Sequence, residues 1–249
     1  PLGFHLTSVL LHAVTSVLVF LILARWIESV RASFVLALLC SWHPSTVEAV
    51  AWINGRSDVL ALLGGSAALL SADGQSRSWW RATATGAALL LGMLGKETGL
   101  VFAPLAVATS AVPWRAGNHG PVRLHVPTVV AAGVATATFL VLRHRALGGA
   151  SLPGGDFWWR ALLAAPAAWF RATQAALIPF DRSPFTFSSW LRDLGGVERA
   201  AYALGALAAL GVLAVQLARR RYAVAIGFGW WLAAVLPTTA ILGLDYPWP

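Results

Sequence analysis

Long apolar runs alternate with short polar breaks along nearly the whole chain. The runs are Phe4–Ala24, Ala32–Val50, Val59–Leu70 with its flanks, Thr83–Gly95, Leu100–Val112, Val126–Leu142, Ala201–Leu217 and Ala223–Leu242, and several of them approach the roughly 20 apolar residues that a bilayer crossing needs. This pattern predicts an all-α, polytopic integral membrane bundle of about eight crossings. The third, fourth and fifth runs are the shortest. Asp73-Gly74, Pro113, Gly117–Pro121, Gly148–Gly155, Pro179–Pro184 and Gly195-Gly196 punctuate the connections as loops rather than domain boundaries. Residues 1–249 therefore read as a single membrane domain.

Composition strengthens that reading. Hydrophobic residues make up 58% of the chain and charged residues only 11%, against roughly 25% charged in an average soluble domain. The net charge of +8 comes almost wholly from Arg placed at the ends of apolar runs. That is the pattern of topology signals and contact with anionic membrane lipids, not of nucleic-acid binding. Arg25, Arg31, Arg77, Arg81, Arg115, Arg123 and Arg219–Arg221 fall on one side of the ladder, which places Pro1 outside. Residues 144–199 then form an outer, periplasmic segment. Within it, apolar Phe157–Ile178 is expected to lie along the surface or re-enter, with Trp158, Trp159, Trp169 and Phe170 suited to the interface. Cys40 is the lone Cys, so neither a disulfide framework nor a thiolate metal site is open to this chain.

Against this background the stretch His43–Asp58, HPSTVEAVAWINGRSD, stands out. It places His43, Glu48, Arg56 and Asp58 between two apolar runs, and ionisable groups at such places usually mark a site. His43 precedes Pro44 and is pushed out of helical space. Ser45 or Thr46 is expected to cap a short helix, Val47–Ile53, ended by Asn54-Gly55 with Gly55 in the left-handed region. Asn54 or Ser57 would cap the next crossing, with Asp58 in its first turn. A bland alternative has Glu48 simply pairing with Arg56.

Gly95-Lys96-Glu97-Thr98 falls on the same outer face. Lys96 is the only Lys among 18 basic residues, and a compact ammonium suits a phosphate. Here the bland alternative is a local Lys96–Glu97 pair. Position 90 is Leu, so this is no Walker A loop. In the outer segment Asp156, Arg160, Arg171, Asp181, Arg182, Arg192 and Asp193 read mostly as solvated, with Arg171 and Arg182 as further phosphate candidates. His5 and His12 share a helical face, and a hydrogen bond between helices is the better reading for them than a metal. Nothing in the chain spells a Ser-His-Asp set or a dinucleotide fingerprint.

Taken in order, these residues resemble the GT-C membrane glycosyltransferases, most closely the TMTC-type and bacterial tetratricopeptide-repeat O-mannosyltransferases. Pro1-Leu2-Gly3-Phe4-His5-Leu6-Thr7 with Leu10-Leu11-His12 carries the resemblance. So do His43-Pro44 with Glu48-Ala49-Val50-Ala51, Gly55-Arg56-Ser57-Asp58, Gly95-Lys96-Glu97-Thr98 with Pro104, and Trp231 with Leu236-Pro237.

The resemblance implies an inverting transfer of a hexose such as mannose from a polyprenyl-phosphate donor to an acceptor protein or glycan, a protein Ser or Thr hydroxyl being one candidate. It implies a site facing the periplasm of a bacterial inner membrane, or the lumen of the endoplasmic reticulum in a eukaryote. Arg56 and Lys96 would hold the phosphate. Glu48 and Asp58 would support the chemistry by orientation, or by holding a sugar hydroxyl or a divalent metal. His43, Glu97, Arg171 and Arg182 would line the site. In such enzymes the main acidic residues lie in the first outer loop, so the base is expected upstream of Pro1 and the isolated chain is expected to be inactive. A transporter or flippase for a lipid-linked or anionic substrate is the alternative, and a membrane scaffold ranks third.

Overall fold

The apolar runs fold as helices. The computed structural model describes residues 2–27, 29–52, 54–72, 78–112, 122–148, 157–177, 195–222 and 224–231, and every regular element among them is helical. The chain is a helical membrane protein. Its first unit, Pro1–Gly149, holds α1 (Leu2–Trp26), α2 (Val30–Trp42), α3 (Pro44–Ala51), α4 (Arg56–Ser71) and α5 (Trp79–Gly95). A 3-10 turn (Glu97–Val101) then runs into α6 (Phe102–Ala111), and α7 (Val126–Ala146) closes the unit.

Helix length and burial run in opposite directions here. α1 has 25 residues and α7 has 21, about 37 and 31 Å at 1.5 Å per residue, enough for the roughly 30 Å hydrocarbon layer. Both leave most of their apolar surface exposed. α1 buries only Ser8, Thr15 and Ile22, a narrow stripe at seven-residue spacing. By contrast α4 and α5, with 16 and 17 residues, form the centre, where Ala68 and Leu89 are fully buried. Helices in contact with lipid must match its thickness, while helices shielded by neighbours need not. Among the described residues three helices are long and apolar enough to cross a membrane: α1, α7 and Gly196–Ala218 in the second unit.

Small residues set the central spacing. A Cβ on Gly64 would meet the Gly92 backbone nitrogen at 2.5 Å and the Ala88 carbonyl at 2.6 Å, and one on Gly99 would meet the Gly92 carbonyl carbon at 2.7 Å. The α4 and α5 backbones thus touch directly, as small residues allow in apolar surroundings. Buried hydroxyls bond within their own helices: Thr15 to the Leu11 carbonyl at 2.7 Å, Ser33 to Ser29 at 2.9 Å and Thr85 to Arg81 at 2.9 Å. Exposed Trp42 and Trp52 flank α3, and exposed Trp79 and Trp80 open α5 at the opposite end of α4. Exposed aromatics of this kind suit membrane–water interfaces.

The second unit, Ala150–Pro249, contains α8 (Phe157–Leu177), α9 (Gly196–Ala218) and a helical stretch over 224–231, α10. Pro166 lies inside α8. Trp169 stacks on Trp231 at 4.6 Å between ring centroids, with Phe228 beside both, and Phe170 packs on Tyr202 at 5.0 Å. α9 ends in a Schellman turn. The Arg221 N–H reaches the Gln216 carbonyl and the Arg220 N–H reaches Leu217, with Arg220 itself at φ +54°.

The structure revises several local expectations. The run Ala32–Val50 forms two helices rather than one crossing, with the break where Pro44 is expected to place it, at His43, whose φ of −62° and ψ of 133° are extended. The short helix starts at Pro44 rather than Val47, since Pro suits a first helical position that has no use for its N–H. Gly55 is right-handed, at φ −65° and ψ −18°, and starts α4 with no side-chain cap. Ser57 turns its hydroxyl back to the Asn54 carbonyl at 2.8 Å instead of capping the helix. Of the eighth run, only 224–231 falls among the described helical residues.

Candidate functional site

The ends of α1, α4, α5 and α7 that gather near one another carry the charged side chains. Arg56 opens α4 and reaches α1. Its Nη2 donates to the Phe4 carbonyl at 2.9 Å, its Nε approaches the Ser8 hydroxyl at 3.4 Å, and its guanidinium lies 5.0 Å from the Phe4 ring centroid. Ser8 in turn donates to the Phe4 carbonyl at 3.0 Å. Nη1 is left out of these contacts. Among the described residues no carboxylate lies within ion-pair range of Arg56; α1 fixes its direction without cancelling its charge.

Asp58, in the first turn of α4, accepts from Lys96 Nζ at 2.6 Å. Lys96 is the extended residue, φ −159° and ψ 145°, between α5 and the 3-10 turn. Its placement follows from the packing below it, because Gly99 folds the turn back onto Gly92 and Gly92 lies against Gly64 of α4. The next residue, Glu97, accepts from Arg143 of α7 through Nη2 at 2.8 Å and Nε at 3.1 Å. Both pairs are partly open to solvent, with 39% and 45% exposure for Lys96 and Asp58. Their free-energy contribution to folding is accordingly small, about 0–1 kcal/mol each.

The arrangement joins two segments that are far apart in the chain, and it replaces the local Lys96–Glu97 alternative. Lys96 turns away from its neighbour Glu97 to Asp58, and Arg56 turns to α1. His43 sits at the α2–α3 break, where its carbonyl accepts from Thr46 Oγ1 at 2.7 Å. Glu48 is carried on α3. Arg171 belongs to the second unit, where it donates to Gln174 at 2.7 Å. Arg182, with Asp156, Asp181, Arg192 and Asp193, lies outside the described residues. Among the described residues no three His, Cys, Asp or Glu side chains group as metal ligands.

Two participants escape a reading of the sequence. Arg143 is in the last turn of α7 and looks like an ordinary basic residue at a helix C-terminus; only its position at the same end of the helices as Glu97 marks it. The Phe4 carbonyl leaves no trace in the sequence at all. His12 is as expected, with its Nε2 meeting the Ser41 carbonyl of α2 at 3.1 Å.

The chain is 34% identical over 102 residues to protein O-mannosyl-transferase Tmtc1 of Drosophila melanogaster, covering 40% of this chain and 12% of that protein. It is 36% identical over 111 residues to protein O-mannosyl-transferase Tmtc2 of the same organism, with the same shares covered. Against protein O-mannosyl-transferase TMTC3 of Mus musculus it is 39% identical over 71 residues, covering 28% of this chain and 8% of that protein. The chain thus spans only about an eighth of the length of the curated relatives it first matches. No protein-family model and no solved structure matches it.

Proposed function

We propose that this chain forms the donor-side wall of a GT-C-type membrane glycosyltransferase. It would act on a polyprenyl-phosphate hexose, such as the mannose form, and an acceptor hydroxyl of a protein or glycan. The reading rests on the Asp58–Lys96 pair, 2.6 Å apart, two residues along α4 from an Arg56 that is oriented by α1 and has no carboxylate partner among the described residues. The similarity to three O-mannosyl-transferases supports it.

The physical argument runs from the donor. Its isoprenoid tail belongs among apolar helices and its phosphate at their polar ends. Attack by the acceptor oxygen forms the new bond to the anomeric carbon while the bond from that carbon to the phosphate oxygen breaks, inverting the centre. Charge then builds on the departing phosphate. Arg56 has a free edge of its guanidinium to receive it, and a fixed cation stabilises such charge without reorganising. Lys96 has two further N–H groups beyond the one given to Asp58. Asp58 holds that ammonium in place, and Glu48 stands as the second supporting carboxylate. The acceptor proton must pass to a carboxylate. About eight crossings, with this end facing the periplasm or lumen, complete the arrangement. The charges gather at helix ends, unlike the midplane sites of transporters.

The test is transfer from a labelled polyprenyl-phosphate mannose by the intact gene product in vesicles. Arg56→Ala and Lys96→Ala are each expected to lower turnover by about 100-fold or more with unchanged helicity. Wild-type turnover in both variants would remove the proposal, and donor flipping without transfer would replace it with a flippase.

A further inference from the structure

We infer that His12 is a positioning residue, the element of α1 that sets where the His43–Arg56 stretch stands. α2 ends at Trp42 because His43 is extended ahead of Pro44. Carbonyls in the last turn of α2 lose their helical donors, and Pro44 has no N–H to offer. In apolar surroundings such a carbonyl must find another partner. The Ser41 carbonyl finds two: His12 Nε2 from α1 at 3.1 Å and Thr46 Oγ1 from α3 at 3.1 Å. A carbonyl oxygen only accepts, so His12 carries its proton on Nε2.

The same face of α1 holds the other end of the stretch. Phe4, Ser8 and His12 follow one another at four-residue steps, which stacks them along one side of a helix. Phe4 and Ser8 take Arg56, the first residue of α4, and His12 takes the last turn of α2. One side of α1 therefore grips the polar stretch before its start and at its end, and α3 hangs between the two grips. Removing the His12 donor frees the first of them.

Hydrogen–deuterium exchange of the intact gene product tests this directly. His12→Leu keeps the bulk and loses the donor; amides over 45–51 are expected to exchange about tenfold faster, the equilibrium effect of one lost hydrogen bond, with α5 unchanged. His12→Gln, whose amide N–H lies near the Nε2 position, is expected to restore most of the protection. Should His12→Leu fail to accumulate, His12→Asn, polar but too short to reach Ser41, takes its place. Mannose-transfer kcat/KM is expected to follow the same order. That arm rests on the transferase reading, whereas the exchange arm does not. Loosening of α3 in His12→Leu with recovery in His12→Gln, in a protein that shows no transfer, would end the transferase reading and uphold the role of His12. Unchanged exchange in His12→Leu, or a His12→Gln no closer to wild type than His12→Leu, would overturn the inference.

Discussion

Replacing Gly64 by Ala should separate the two helices that carry Asp58 and Lys96. The added Cβ would lie 2.5 Å from the Gly92 nitrogen, 2.6 Å from the Ala88 carbonyl oxygen and 2.6 Å from the Gly92 Cα. All three are backbone atoms, so no side chain can swing aside. Ordinary contact begins near 3.4 Å, so α4 must move from α5 by something near 1 Å. Overpacking of this kind costs about 1–3 kcal/mol, and the rigid neighbours place this case at the upper end. The gain in helix propensity from Gly to Ala, about 1 kcal/mol, offsets part of it. A net loss of about 1–2 kcal/mol is expected, measured as the shift in a denaturant midpoint in detergent micelles.

Gly133→Ala is the matched control, since nothing lies within 4 Å of a Cβ there. It keeps the propensity gain alone and should stabilise by about 0.5–1 kcal/mol. The same displacement reaches the site. Asp58 stands about 9 Å along α4 from Gly64, and Lys96 about 6 Å beyond Gly92, at 1.5 Å per residue. A shift near 1 Å takes a 2.6 Å pair beyond hydrogen-bond range. Crosslinking between cysteines placed at 58 and 96 should then fall relative to the same pair in the Gly64 background. If Gly64→Ala were as stable as Gly133→Ala, direct backbone contact between α4 and α5 would be refuted.

Other expectations follow from the same geometry. Arg220→Gly should raise stability by about 1 kcal/mol, because the Schellman turn holds Arg220 at φ +54°, a region costly for any residue with a Cβ; Arg220→Ala, which keeps the Cβ, should not. A double-mutant cycle with Asp58→Asn and Lys96→Gln should give a stability coupling below about 1 kcal/mol but a large coupling in transfer rate, and equal couplings in the two measurements would deny the pair a role in the site. Together with the Arg56 and His12 variants, these separate what holds the helices from what acts at their ends.

Much of this protein is legible in its sequence, because the bilayer as solvent leaves backbone polar groups little choice. Apolar runs of sufficient length must become helices, so the all-helical class and the places of α1, α7 and α9 follow from composition and pattern. The His43-Pro44 break and Asp58 in a first helical turn are local consequences of proline and of the helix dipole. The candidate residues stood out because charge is scarce here: a single Lys and few carboxylates in a mostly apolar chain.

The partners of those residues were decided in three dimensions. Glu97 follows Lys96 directly in the chain, whereas Asp58 lies 38 residues away, yet the ammonium pairs with Asp58. The extended Lys96 backbone and the Gly64–Gly92–Gly99 contact turn the ammonium toward α4. The Arg56 guanidinium went to a backbone carbonyl of α1, a group identical in every residue and so unmarked by any letter. The reach of His12 to Ser41 depended on where α2 stopped beside α1. Sequence patterning determines which segments leave water. How close two helices come, and hence which charges meet, depends on atoms that the absence of a side chain lets touch, and that is settled only when the chain is packed.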